Sequence, residues 1–131
     1  MKTAEDIESF MIRMDANYDT LGESIWVVTE GATDLVISIA GPVLVCRVKL
    51  LDLDRVVKDR REAFFQTLLQ LNAEEMLHGA YGLEEGFVVA TDALELENLD
   101  YNEFQATVDD LAMTVSKHYP LLNKFLTDAA A

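Results

Sequence analysis

Apolar residues recur at Ile7, Phe10, Met11 and Met14, the i, i+3, i+4, i+7 spacing that lines one face of a helix. Thr3 stands before that run as an N-cap, with Glu5 and Asp6 in the first turn, where carboxylates meet the positive end of the helix dipole. The period then changes. Residues 24–28, 35–39 and 43–51 are rich in β-branched side chains, and Glu30-Gly31-Ala32-Thr33-Asp34 and Ala40-Gly41-Pro42 separate them with turn residues. This predicts an antiparallel three-stranded meander. In its third strand Leu44, Cys46, Val48 and Leu50 alternate with Val43, Val45, Arg47 and Lys49, so one face is expected buried and the other partly wet.

From 54 to 71 the pattern is helical again. Asp54 is a candidate cap, Arg55, Lys58, Arg60 and Arg61 fall on the early turns, Phe64, Phe65, Leu68 and Leu71 follow, and Asn72 is a plausible stop. Residues 76–81 and 86–94 read as two strands joined through Gly82-Leu83-Glu84-Glu85. A final helix begins at Asp100, with Glu103 placed for a capping box and Leu99 and Phe104 for a hydrophobic staple. Phe104, Val108, Leu111, Val115 and Tyr119 continue one face. Pro120 is expected to break or restart this helix, leaving Leu121, Leu122, Phe125 and Leu126 as a last apolar turn or two before the Ala-rich end. Lacking linkers, repeats and low-complexity segments, residues 1–131 read as one α+β domain, an antiparallel sheet flanked by helices in the order α-βββ-α-ββ-α.

At 131 residues such a domain buries roughly two thirds of the surface its unfolded chain exposes. Charge changes the picture more than length does. The net charge is −14, and residues 62–116 carry 12 of the 24 carboxylates with no Lys or Arg. That stretch also holds Phe64, Phe65, Leu68, Phe87, Val88, Leu96 and Leu111, so it is a folded acidic surface rather than a disordered tail. Phosphate is repelled by such a field, which argues against nucleic acid and against an anionic membrane as partners. A single cysteine and an N-terminus, MKTAEDIESF, without an apolar core point to the cytoplasm. The longest apolar runs fall far short of the ~20 residues that span a bilayer.

Candidate chemistry is sparse. Cys46 with His78 or His118 would make a nucleophile and base, but Cys46 falls on the inward side of a predicted strand, where cysteine behaves as a small hydrophobe. The two histidines lack His-x-x-x-His spacing for zinc. Asp92, Glu95, Glu97, Asp100 and Glu103 miss the central Gly and the register of an EF-hand, and a solvated acidic rim accounts for them. Gly79, Gly82 and Gly86 form neither a dinucleotide fingerprint nor a P-loop and read as hairpin glycines. Salt bridging with Asp52, Asp54, Asp59 and Glu62 is the economical role for the basic cluster at 55–61. Met11, Met14, Met76 and Met113 are adaptable apolar side chains, more often core than binding surface. The sequence therefore points to no enzyme, no cofactor and no metal site.

The Phe-Phe-Gln-Thr-Leu-Leu-Gln-Leu-Asn run at 64–72, the strand Gly86-Phe87-Val88-Val89-Ala90 and the Leu99-Asp100 approach to a helix at Phe104 lie in an order that resembles the type III secretion chaperone-like fold. Class I secretion chaperones and the bacterial YbjN family share that fold. The resemblance implies a twisted antiparallel sheet flanked by helices, usually as a homodimer. It further implies capture of an unfolded protein client along apolar patches on the first helix and the sheet, sometimes by strand addition. On this chain the implied protein-binding residues are Ile7, Phe10, Met11, Met14, Ile25 and Val27, with Phe65 and Leu69 at the dimer interface. The YbjN side of the resemblance implies instead a regulatory or scaffolding protein that docks a folded partner through its acidic face.

Overall fold

A computed structural model describes residues 1–126; the Ala-rich end lies outside the described residues. The chain forms helix α1 (Ala4–Arg13), strands β1 (Asn17–Gly22), β2 (Ile25–Glu30), β3 (Thr33–Ala40) and β4 (Val43–Asp52), and two 3-10 turns (Leu53–Arg55 and Lys58–Arg60). Helix α2 (Arg61–Glu74), strands β5 (Ala80–Glu84) and β6 (Phe87–Glu95) and helix α3 (Tyr101–Asn123) follow. The six strands make one antiparallel sheet in the order β1-β2-β3-β4-β6-β5. Every predicted element is present, and one strand is added in front of the meander. That strand, β1, has the sequence Asn-Tyr-Asp-Thr-Leu-Gly, poor in strand formers and mostly exposed; it is held by antiparallel pairing of Asn17 through Thr20 with β2.

Local chemistry explains the boundaries. Thr3 and Asp6 form a reciprocal capping box, Thr3 N–H donating to Asp6 Oδ2 at 2.8 Å and Asp6 N–H to Thr3 Oγ1 at 3.4 Å. Glu85 and Gly86, both at positive φ, make the two-residue β5–β6 turn, so β5 begins four residues later than the expected strand at 76. Gly79, before β5, is at φ +76°, and a Cβ there would stand 2.3 Å from the Thr91 carbonyl oxygen; only glycine lets this loop lie on β6. Asp100 caps α3 by accepting from Glu103 N–H at 2.8 Å, a simple cap rather than the expected box.

Three further expectations are corrected. Helix α2 starts at Arg61, because 3-10 turns take up Leu53–Arg55 and Lys58–Arg60 and Asp52, rather than Asp54, caps the first of them. Helix α3 runs through Pro120 to Asn123; its missing N–H falls in the last turn, one short turn from the helix end. A bulge between Lys49 and Leu51 shifts the phase of β4, so Leu51 takes the inward place expected of Leu50.

The sheet buries one face. Trp26, Val28, Leu35, Ile37, Leu44, Cys46, Val48, Leu51, Val88 and Ala90 join Ile7 and Met11 of α1, Phe64, Leu68 and Leu71 of α2, and Phe104, Val108, Leu111 and Val115 of α3 in one core. Phe10 fixes α1 to α3 with ring centroids 5.9 Å from Tyr101 and 5.6 Å from Phe104. At the far end Val57 N–H donates to the Phe125 carbonyl at 3.0 Å, Arg60 bonds the Lys124 carbonyl, and the Arg60 guanidinium lies 4.7 Å from the Phe125 ring centre.

Candidate functional site

With α1, α2 and α3 contributing to one core, the opposite face of the sheet is left open among the described residues. Pairing register sets its residues in rows. Asp19, Val27, Val36, Arg47, Thr91 and Ala80 stand opposite one another from edge to edge. Beside that row run Ile25, Ser38, Val45 and Ala93 on one side and Lys49, Val89 and Gly82 on the other. Ile25 is 39% exposed and Val36 37%, high for β-branched apolar residues in central sheet positions. Val89 is buried but lies outside the main core. It shares a shallow cleft of about 230 Å³ with Val36, Arg47, Lys49, Glu84, Glu85 and Phe87.

Both sheet edges differ in what they offer. On β5 the Asn72 side chain of α2 accepts from Tyr81 N–H at 2.7 Å and donates to the Tyr81 carbonyl at 3.1 Å, so an amide stands where a seventh strand would pair. Asn72 is therefore not the helix stop its sequence position suggested but an edge cap. Edge β1 presents Asp19 and Thr20, both exposed, next to a bulge between Thr20 and Gly22.

The residues expected to bind protein separate into three pairs. Ile7 and Met11 are fully withdrawn into the core, since α1 turns them onto the sheet, so they support the helix and present nothing to a partner. Phe10 and Met14 are half-buried against that core. Ile25 and Val27 are on the open face. The pattern missed Val36, Val45, Val89 and Phe87, their companions on that face; the alternation in β4 was the available signal, but the β4–β6 pairing spans about forty residues of chain. Phe65 and Leu69 come together on the outer side of α2, where they line a groove with Glu62, Gln66, Gln70, Ala73 and Glu74. Leu69 is 68% exposed.

The candidate chemical groups are otherwise engaged. Burial, with a smaller contribution from the Asp92 charge, pushes the Cys46 thiol up to about 12, which keeps it un-ionised. His118, buried, lies 2.7 Å from the Tyr81 hydroxyl through Nδ1 and 3.0 Å from Glu75 Oε1 through Nε2. His78 Nδ1 lies 2.8 Å from Asp110 Oδ2. The two histidines thus fasten the segment after α2 to α3. Of the proposed acidic rim, Asp100 caps α3, Asp92 accepts from Ala93 N–H and Glu97 lies 3.5 Å from the N-terminal amine. In the basic cluster Arg61 pairs with Asp54 at 3.8 Å. Among the described residues, no three His, Cys, Asp or Glu side chains are grouped to hold a metal ion, and no helix is long and apolar enough to cross a membrane.

A single antiparallel sheet with helices packed on one face and the other open is the type III secretion chaperone-like fold. The chain belongs to the family described as CesT_Tir_1, which it matches over residues 1–128. No curated protein matches it. Similar solved structures include a chain of the heterodimeric ExoU–SpcU complex from the type III secretion system of Pseudomonas aeruginosa, at TM-score 0.69 and 15% identity over 88% of this chain and 96% of that one. YbjN from E. coli aligns at TM-score 0.67 and 9% identity, over 96% of each chain. The Yersinia pestis type III secretion chaperone SycH, solved with a stable fragment of YscM2, aligns at 0.63 and 13%, over 88% of this chain and 98% of that one. At these identities the likeness is one of fold.

Proposed function

We propose that this chain is a non-enzymatic, chaperone-like protein that captures an extended segment of a protein client on the open face of its sheet. The observation that carries the reading is the row Val27, Val36, Arg47, Thr91, Ala80, which crosses five strands, while the described helices pack their buried residues against the other face. An extended client laid along that face would bury alternate side chains of its own against Ile25, Val27, Val36 and Val45, each worth roughly 1.5–3 kcal/mol if fully buried. Family membership and the chaperone complexes among its structural neighbours support a protein partner. Residues 1–131 act as one such domain, in the cytoplasm, as a homodimer joined through Phe65 and Leu69 on α2; the exposure of Leu69 supports that surface.

A second reading, docking of a folded partner on the acidic surface, is favoured by the charge of −14 itself. Salt separates the two, because exposed charges are screened within about 8 Å at physiological ionic strength whereas apolar burial is not. Tagged protein is used to capture partners from its own organism's extract at low and high salt, beside a Val36→Glu variant checked for folding by circular dichroism. A partner held at high salt by the wild type and lost by Val36→Glu supports client capture. Partners held equally by both proteins and released by salt point to the acidic surface.

A further inference from the structure

We infer that the open face reads a carboxylate within the client segment, which Arg47 binds in place of Glu84. This rests on the capture reading and adds the chemistry of the client. Only 10 residues in the chain are Lys or Arg, against 24 carboxylates, yet two of them, Arg47 and Lys49, stand next to each other on the open face of β4. Two residues apart on a strand, they point the same way.

Their surroundings leave donors to spare. Arg47 is 40% exposed and meets one carboxylate oxygen, Glu84 Oε2, 3.3 Å from Nη2, while its Nε is buried with no acceptor among the described residues. A guanidinium presents five N–H donors in a planar fork that matches a carboxylate two bonds at a time, so this pairing leaves most of the fork unused. Lys49 has its ammonium 3.6 Å from the centre of the Phe87 ring, which holds the cation low over the apolar floor. Glu84 is the last residue of β5, beside the turn, and 47% exposed, so it can swing into water at little cost.

The floor fixes the rest of the recognition. Val36, Val89 and Phe87 line the cleft with the two cations and with Glu84 and Glu85. Gly82 lies opposite Val89, and nothing stands within 4 Å of where its Cβ would be, which leaves a notch for a neighbouring side chain. An acidic residue flanked by apolar ones matches this arrangement: its carboxylate takes the Arg47 fork, Glu84 is released, and the flanking side chains cover Val36 and the half-buried Phe87. A basic residue at that place would meet Arg47 and Lys49, with only Glu84 and Glu85 of the cleft to offset them. The surrounding negative field opposes a polyphosphate, with several charges, far more than a single carboxylate, which favours a protein segment as occupant.

The test uses the full chain and short soluble peptides that alternate valine with serine and differ only in a central Glu, Gln or Lys, read by fluorescence anisotropy. The Glu peptide is expected to bind about tenfold tighter than the Gln peptide, the worth of one charge-assisted hydrogen bond, with the Lys peptide weakest. Arg47→Met should erase that preference while keeping the Gln peptide bound, and Glu84→Gln, which removes the internal competitor, should tighten the Glu peptide further. Equal binding of the Glu and Gln peptides overturns the carboxylate readout and leaves client capture standing. Binding of none of the peptides overturns both. A Glu preference that survives Arg47→Met overturns the residue assignment. Self-association in sedimentation that Arg47→Met abolishes gives the face to a second copy of the chain and likewise overturns it. Circular dichroism of each variant confirms that the fold is kept.

Discussion

Asn72 and Tyr81 exchange two hydrogen bonds, side chain to backbone, that copy the pairing of neighbouring strands: 2.7 Å from Tyr81 N–H to Asn72 Oδ1 and 3.1 Å from Asn72 Nδ2 to the Tyr81 carbonyl. They tie α2 to the edge of the sheet and close that edge to further pairing. Asn72→Ala leaves a part-buried N–H and C=O without partners, so a loss of about 1–3 kcal/mol is expected in urea unfolding. The freed edge should also raise the tendency to aggregate, checked by light scattering.

Gly79 carries a second structural demand. Its positive φ and the 2.3 Å approach of a would-be Cβ to the Thr91 carbonyl oxygen mean that Gly79→Ala must move backbone, not a side chain. A loss of roughly 1–3 kcal/mol is expected, in the range for a strained backbone position. Gly82→Ala, where the added methyl meets nothing within 4 Å, is the control and should change stability far less.

Glu30 gives the fold a pH dependence. Burial first, then a hydrogen bond with Asp109 and the Asp109 charge, raise its carboxyl from 4.5 to about 7. The folded chain therefore holds this proton where the unfolded chain has released it. Its contribution is fully present below 4.5 and is lost as pH rises from 4.5 to about 7. Glu30→Gln keeps a hydrogen-bonding side chain without the charge. Its thermal midpoint should exceed the wild type's at pH 8, and the gap should close as pH falls toward 4.5.

Much of the fold was legible because period and caps agree. The spacing of Ile7, Phe10, Met11 and Met14, the Thr3 cap and the run from Phe104 to Val115 each declare an amphipathic helix, and each is one. Strand β1 was hidden because Asn17, Asp19 and Gly22 have no strand preference of their own and are held by β2. The start of β5 was misplaced because Met76 and Leu77 look strand-like, whereas positive φ at Glu85 and Gly86 sets the hairpin and so the register. The candidate site was legible only in halves. Alternation along β4 placed Arg47 and Lys49 on the wetter face, but the partners that make a surface of it, Val36, Val89, Phe87 and Glu84, come together through long-range pairing that no local pattern records. The same periodicity put Ile7 and Met11 on the binding list, because the apolar face of a helix reads alike whether it meets a core or a client.

A client segment that lies on the open sheet face must perturb the side chains there, which a methyl NMR titration of the full chain with the client segment recovered by capture, at low and at high salt, reads directly. Shifts concentrated at Ile25, Val27, Val36 and Val45 that persist at high salt are expected. Shifts confined to Leu69 and the acidic surface, vanishing as salt rises, would contradict capture on that face.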